Sequence, residues 1–285
     1  MTFLRYLLPI LSPGFVIPAN DQVITKVCHN LDFYLPFRQH APSLANARLL
    51  IYADLDRLAS DDGVGFFNIL AFRGVFFGSP FAKSDRYRWF YSLDDWKTFR
   101  DTREEANKYK GEDYYVKKNC YGRTQRGREL SLLSSYWEQR LLWNDIFNKQ
   151  KKPSVGKVFR WLTSRRPSDD KTEASTNGTL FANIGTLTAL LICGDLVEAG
   201  ILPMPSKSDW AKLIFKLKMG SKEGMEISGL VRDNYSMEDF CAAFSSLDTA
   251  LQAELSDDEK EDMGYNIIML EHALCKIKRV GADYF

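Results

Sequence analysis

A chain of 285 residues with 45% apolar and 26% charged residues can bury a substantial core, which excludes a disulfide-stapled miniprotein, a fibre repeat and general disorder. The 38 basic and 37 acidic residues leave a formal charge of +1, so the total names no partner. Five cysteines, Cys28, Cys120, Cys193, Cys241 and Cys275, stand far apart with no CxxC pair, the pattern of reduced thiols in a cytoplasmic or nuclear protein rather than a secreted one.

Residues 1–42 read as an N-terminal arm. Pro9, Pro13 and Pro18 break its opening apolar run, which is poor for a signal peptide and suits a docking segment. The longest apolar stretch elsewhere, Leu180 to Cys193, is shorter than the ~20 residues that span a bilayer, so no membrane span is expected.

Residues 43–148 read as an N-terminal lobe. Leu44, Ala47, Ile51, Leu55 and Leu58 recur at steps of three and four, predicting one helix over 43–59 with Ser43 as its N-cap. The aromatic-rich stretch 66–91 is apolar on every register, so period leaves helix and a small β-hairpin or short strands both open there. Ser92 to Asp95 resembles a capping box before Trp96 and Phe99, and a further helix is expected over 129–147 with Leu133, Trp137 and Leu141 on one face.

Residues 149–179, rich in Lys, Arg, Pro and Ser, read as an exposed basic connector. The remainder, 180–285, reads as a helical C-terminal lobe with segments at 180–201, 206–219, 236–255 and 257–280. Ser236 with Asp239, and Ser256 with Glu259, signal two of its helix starts. The fold class expected is therefore mainly α, a two-lobed helical protein.

Three patterns carry chemistry. Asp54 and Asp56, with Asp195 in a later Gly-Asp pair, suggest an aspartate-based phosphotransferase. Helical periodicity through the first pair works against it, since side chains two apart on a helix diverge by about 200°. Cys120 and Arg126 have the Cys-x5-Arg spacing of a phosphatase loop, in which a thiolate attacks phosphorus while loop amides and the Arg hold its oxygens. Asn119 and Gly127 replace the residues that usually flank such a loop. His272 and Cys275 share a helical face, but two ligands do not make a zinc site, and no metal or other cofactor is expected.

The third pattern is charge segregation. Lys117, Lys118, Arg123, Arg126 and Arg128 form one acid-free stretch; Lys149, Lys151, Lys152, Lys157, Arg160, Arg165 and Arg166 form a second, so the two hold 12 of the 38 basic residues. Aromatics including Trp161 lie among them, a combination that suits phosphate neutralisation plus base stacking. From Asp233 to Asp262 there are ten acids and one base. The expectation is a non-catalytic binding or assembly protein. It would contact RNA, DNA or another polyanion through 117–128 and 149–166, and self-associate as a homo-oligomer through its arm and its opposite charges, by architectural analogy with a nucleoprotein. The alternatives are a phosphate-ester enzyme and a protein–protein adaptor using 66–91 and the acidic helices.

Overall fold

The computed structural model describes residues 2–105, 128–147, 152–165, 179–217 and 220–284. In chain order the helices are α1 Thr2–Leu7, α2 Gln22–His29, α3 Leu31–Tyr34, α4 Pro42–Leu50, α5 Leu55–Leu58, α6 Val64–Ala71, α7 Pro80–Lys83, α8 Leu93–Glu105 and α9 Arg128–Gln139, then α10 Trp143–Ile146, α11 Val155–Leu162, α12 Thr186–Glu198, α13 Lys207–Leu217, α14 Ser221–Ile227, α15 Met237–Glu254, α16 Asp257–Met263 and α17 Ile267–Tyr284. The protein is mainly α. Among the described residues the β-structure is a single antiparallel bridge between Arg165 and Thr179, and no helix is long and apolar enough to cross a membrane.

The chain forms two compact units, Met1–Leu44 with Pro205–Phe285, and Ala45–Met204. Their limits differ from lobes at 43–148 and 180–285. The first unit joins the two ends of the chain, and the second contains both ends of the basic stretch, held together where Leu180 N donates to Ser164 O at 2.7 Å.

In the first unit the α14–α17 packing is closest at Gly224, where a Cβ would overlap the Leu274 carbonyl, so glycine lets the two backbones meet. Both expected capping boxes form, Ser236 with Asp239 and Ser256 with Glu259. The helix expected across 257–280 is broken, because Gly264 at φ +60 ends α16 in the left-handed region. The N-terminal segment belongs to this unit: Phe3, Leu4 and Leu7 are buried, and Arg5 Nε donates to Glu259 Oε1 at 2.6 Å. These apolar side chains are used within the chain's own core. Three buried polar groups are matched: Asp32 accepts from the Ser43 amide and hydroxyl at 2.9 Å each, Lys276 Nζ donates to Phe33 O at 2.8 Å and Ser221 Oγ to Glu271 at 2.7 Å. Ser43 therefore serves Asp32 from inside the first turn of α4 rather than capping it.

In the second unit the helix expected over 43–59 is split between α4 and α5, because Asp54 turns back to accept from Arg57 N and starts a new helix. The hairpin alternative for 66–91 is not formed. Gly65 to Phe76 are buried, and a segment enclosed on all sides needs no polar face, so α6 runs straight into a π-helical turn, Phe72–Phe76. Residues 87–90 are neither helix nor strand, and no strand among the described residues pairs with them. The Asn68 side chain takes that role, donating to Phe90 O at 2.8 Å and accepting from Phe90 N at 2.9 Å. Ser92 caps α8 through Asp95 N, whereas the Asp95 carboxylate accepts from Tyr91 N. Leu133 and Tyr136 of α9 are buried, but the helix tightens to a 3-10 turn at Arg140–Leu142, which leaves Leu141 50% exposed instead of on the buried face.

Candidate polyanion-binding surface

The short helix α11 is the best-defined part of the basic stretch. Ser154 caps it by accepting from Lys157 N, and Val155, Val158, Phe159 and Leu162 face inward. Helical spacing then puts Lys157 and Arg160 together on the outer face, three residues apart. Both are exposed, as is Arg165 beyond the helix end, and none of the three has an ion-pair partner among the described residues. This contrasts with α8 of the same unit, where Lys97 pairs with Asp94 at 2.9 Å and Arg100 with Asp101 at 2.9 Å. Lys152 is exposed and its ammonium donates to Gly200 O at 2.6 Å.

Trp161 does not stand free for stacking. Its ring lies 5.2 Å from Phe66 and 5.0 Å from Phe181, and Phe66 also stacks on Trp143 at 5.1 Å. Trp161 is thus spent on the aromatic core, half-buried, because it follows Arg160 around the helix toward the apolar side. Arg128 begins α9, and its side chain lies outside the described set. Lys117, Lys118, Arg123, Arg126, Lys149, Lys151 and Arg166 also lie outside the described residues, as does the Cys120–Arg126 spacing.

The carboxylates of the phosphotransferase reading stand in different environments. Asp54 and Asp56 are exposed at the start of α5, whereas Asp195 is buried inside α12 and bound by Arg73 through two hydrogen bonds of 2.6 Å. Tyr52 adds a third, its hydroxyl donating to Asp195 Oδ2 at 3.0 Å. Burial, reinforced by the Asp195 charge, pushes the Tyr52 phenol well above its ordinary range, and burial with the same charge raises the Cys193 thiol. Both shifts favour the protonated forms, and the Arg73–Asp195 pair acts as a structural clamp. Sequence reading missed Arg73. The signal was there as the lone charged side chain in the apolar run 66–81, since a buried charge needs a partner.

The acidic run of the first unit is also partly engaged. Asp248 is buried between Lys207 Nζ at 2.6 Å and the Tyr265 hydroxyl at 2.9 Å, while Asp239 and Glu259 cap helices. His272 and Cys275 belong to no metal-binding group; among the described residues no cluster of three or more His, Cys, Asp or Glu could hold a metal ion. Comparison with known protein families, curated proteins and solved structures returns no match for this chain.

Proposed function

We propose that this protein binds a polyanion, RNA or DNA first, through the exposed outer face of α11 and its flanks, as a non-catalytic binding protein. The observation that supports this reading is the set Lys157, Arg160 and Arg165: three exposed cations in one short stretch, without acidic partners among the described residues, in a unit where Lys97 and Arg100 of α8 are paired with acids of their own helix. Cations held on a rigid helix and left unpaired raise the local potential and favour phosphate. With Trp161 committed to the core, the contact is to the phosphate backbone and not to stacked bases. It positions a nucleic acid without reading its sequence.

The test is fluorescence anisotropy of the full chain with a labelled single-stranded 20-mer of mixed sequence at several salt concentrations. Three phosphate contacts on a single strand give a log–log salt slope of about −2, a loss of roughly 20-fold in affinity between 50 and 200 mM salt. Charge reversal by Lys157→Glu with Arg160→Glu should flatten that slope by about 1.4. Salt-independent binding, or a slope that the double variant leaves unchanged, refutes the reading.

A further inference from the structure

The first unit contains a cavity of about 230 Å³ beneath α1. Phe3 and Leu4 of α1 form one wall, Leu247 and Leu251 of α15 a second, and Leu270 and Leu274 of α17 a third. Most of these side chains are core residues; Leu4, Leu251, Leu270 and Leu274 are each at most 4% exposed, yet they border open space. Protein interiors ordinarily pack with few voids larger than a water molecule, and an unfilled apolar void lowers stability in proportion to its volume. Among the described residues the lining holds no charged side chain. Ser228, at the end of α14, lines the same cavity, and its hydroxyl is buried with no hydrogen-bond partner. An unpartnered buried hydroxyl costs free energy until something bonds to it. Exposed Leu230, two residues on, also lines the cavity and marks its mouth.

We infer that this cavity is a binding site for a small aliphatic molecule carrying one neutral hydrogen-bonding head, of the class of medium-chain alcohols and their esters. Size, polarity and charge each restrict the occupant. An apolar cavity of roughly 150 Å³ holds the six carbons of benzene, so the volume here accommodates about nine non-hydrogen atoms. The apolar walls select a hydrocarbon body. The buried, unpartnered hydroxyl of Ser228 selects one polar group, Thr2 being the other hydroxyl of the lining, and the lack of a cation among the described lining residues disfavours a carboxylate or phosphate, which would be buried without a counter-charge.

The probe is 1-octanol, with eight carbons and one oxygen, titrated calorimetrically into the full-length protein, with octanoate at neutral pH as its charged counterpart. Saturable binding of one octanol per chain is expected, with octanoate at least about tenfold weaker. Ser228→Ala should weaken octanol about three- to tenfold, the loss of one hydrogen bond. Ala273→Phe, which projects a ring from α17 into the cavity, should abolish binding. Leu247→Phe, at a half-buried position that tolerates a larger side chain, fills the cavity from α15 and decides the matter if Ala273→Phe unfolds. Absence of saturable octanol binding overturns the inference, as does undiminished binding in a filled variant that still unfolds cooperatively. Octanoate binding as tightly as octanol overturns the assignment of a neutral head.

Discussion

Arg73 grips Asp195 across 122 residues of sequence, Nε to Oδ2 and Nη2 to Oδ1, both at 2.6 Å, with both side chains at most 2% exposed. The π-helical turn at Phe72–Phe76 and the buried face of α12 each bring one charge, and the ring of Phe77 lies 4.4 Å from the guanidinium. Two ions removed from water must satisfy each other, so the pair fixes how the two elements register more than it adds net stability.

Removing either partner should therefore be severe. Asp195→Ala leaves the Arg73 charge buried and uncompensated, a loss of about 3–5 kcal/mol, whereas Arg73→Leu combined with Asp195→Leu should recover much of it. Urea unfolding of Arg73→Leu, Asp195→Leu and the double variant measures this. If the double variant loses the sum of the two single losses, the sites are not coupled and the account is wrong.

Gly224 and Gly229 make a paired test of backbone approach. A Cβ at Gly224 overlaps the Leu274 carbonyl, which is backbone and cannot rotate away, so Gly224→Ala should force α14 from α17 at a cost of about 1–3 kcal/mol. At Gly229 nothing lies within 4 Å, and only φ +66 resists a side chain, so Gly229→Ala should cost about 1–2 kcal/mol and Gly229→Asn less. A Gly224→Ala protein with the parent's thermal unfolding would contradict the packing described for α14 and α17.

The features readable in the sequence are those whose cause is local. Ser236 with Asp239 and Ser256 with Glu259 cap their helices because both partners lie within one turn, and the 3.6-residue period of α15 and α17 shows which faces are buried. The segment 66–91 was ambiguous because a helix enclosed on all sides has no polar face, and because Asn68 supplies to Phe90 the two hydrogen bonds a strand partner would give. The Arg73–Asp195 pair and the cavity under α1 depend on residues far apart in the chain, so no window of sequence contains them. In the candidate polyanion surface, the basic stretch was legible as composition. That Trp161 turns inward while Lys157 and Arg160 turn outward follows from the helix that carries them.

That division of α11 into two faces predicts opposite phenotypes. Lys157→Glu with Arg160→Glu alters a solvated face and should leave stability within about 0.5 kcal/mol of the parent while changing salt-dependent affinity. Trp161→Ala removes a ring packed on Phe66 and Phe181. Because Trp161 is only half-buried, its cost should fall near the lower end of the roughly 3–5 kcal/mol typical of core tryptophans, with the salt slope unchanged. A Trp161→Ala protein of parental stability but lower nucleic-acid affinity would restore base stacking as its role.

The clamp between Arg5 and Glu259 predicts how α1 responds to acid. The Arg5 guanidinium, helped by the Ser256 amide, holds the Glu259 carboxyl down to about 2, against about 4.3 for an unperturbed glutamate. A carboxyl depressed by folding contributes stability that is fully present above the unfolded value, declines as pH falls below it and is gone once pH passes the folded value. The difference in urea midpoint between the parent and Glu259→Gln should therefore hold from pH 7 to about 5, shrink through pH 4 and 3 and vanish near 2. The pair is exposed, so the difference should be modest and should fall as salt screens it. A difference that stays constant from pH 7 to 2 would mean that Glu259 acts through its size and capping geometry, and that α1 is held by Phe3, Leu4 and Leu7 with the Arg5 bond to the Glu254 carbonyl.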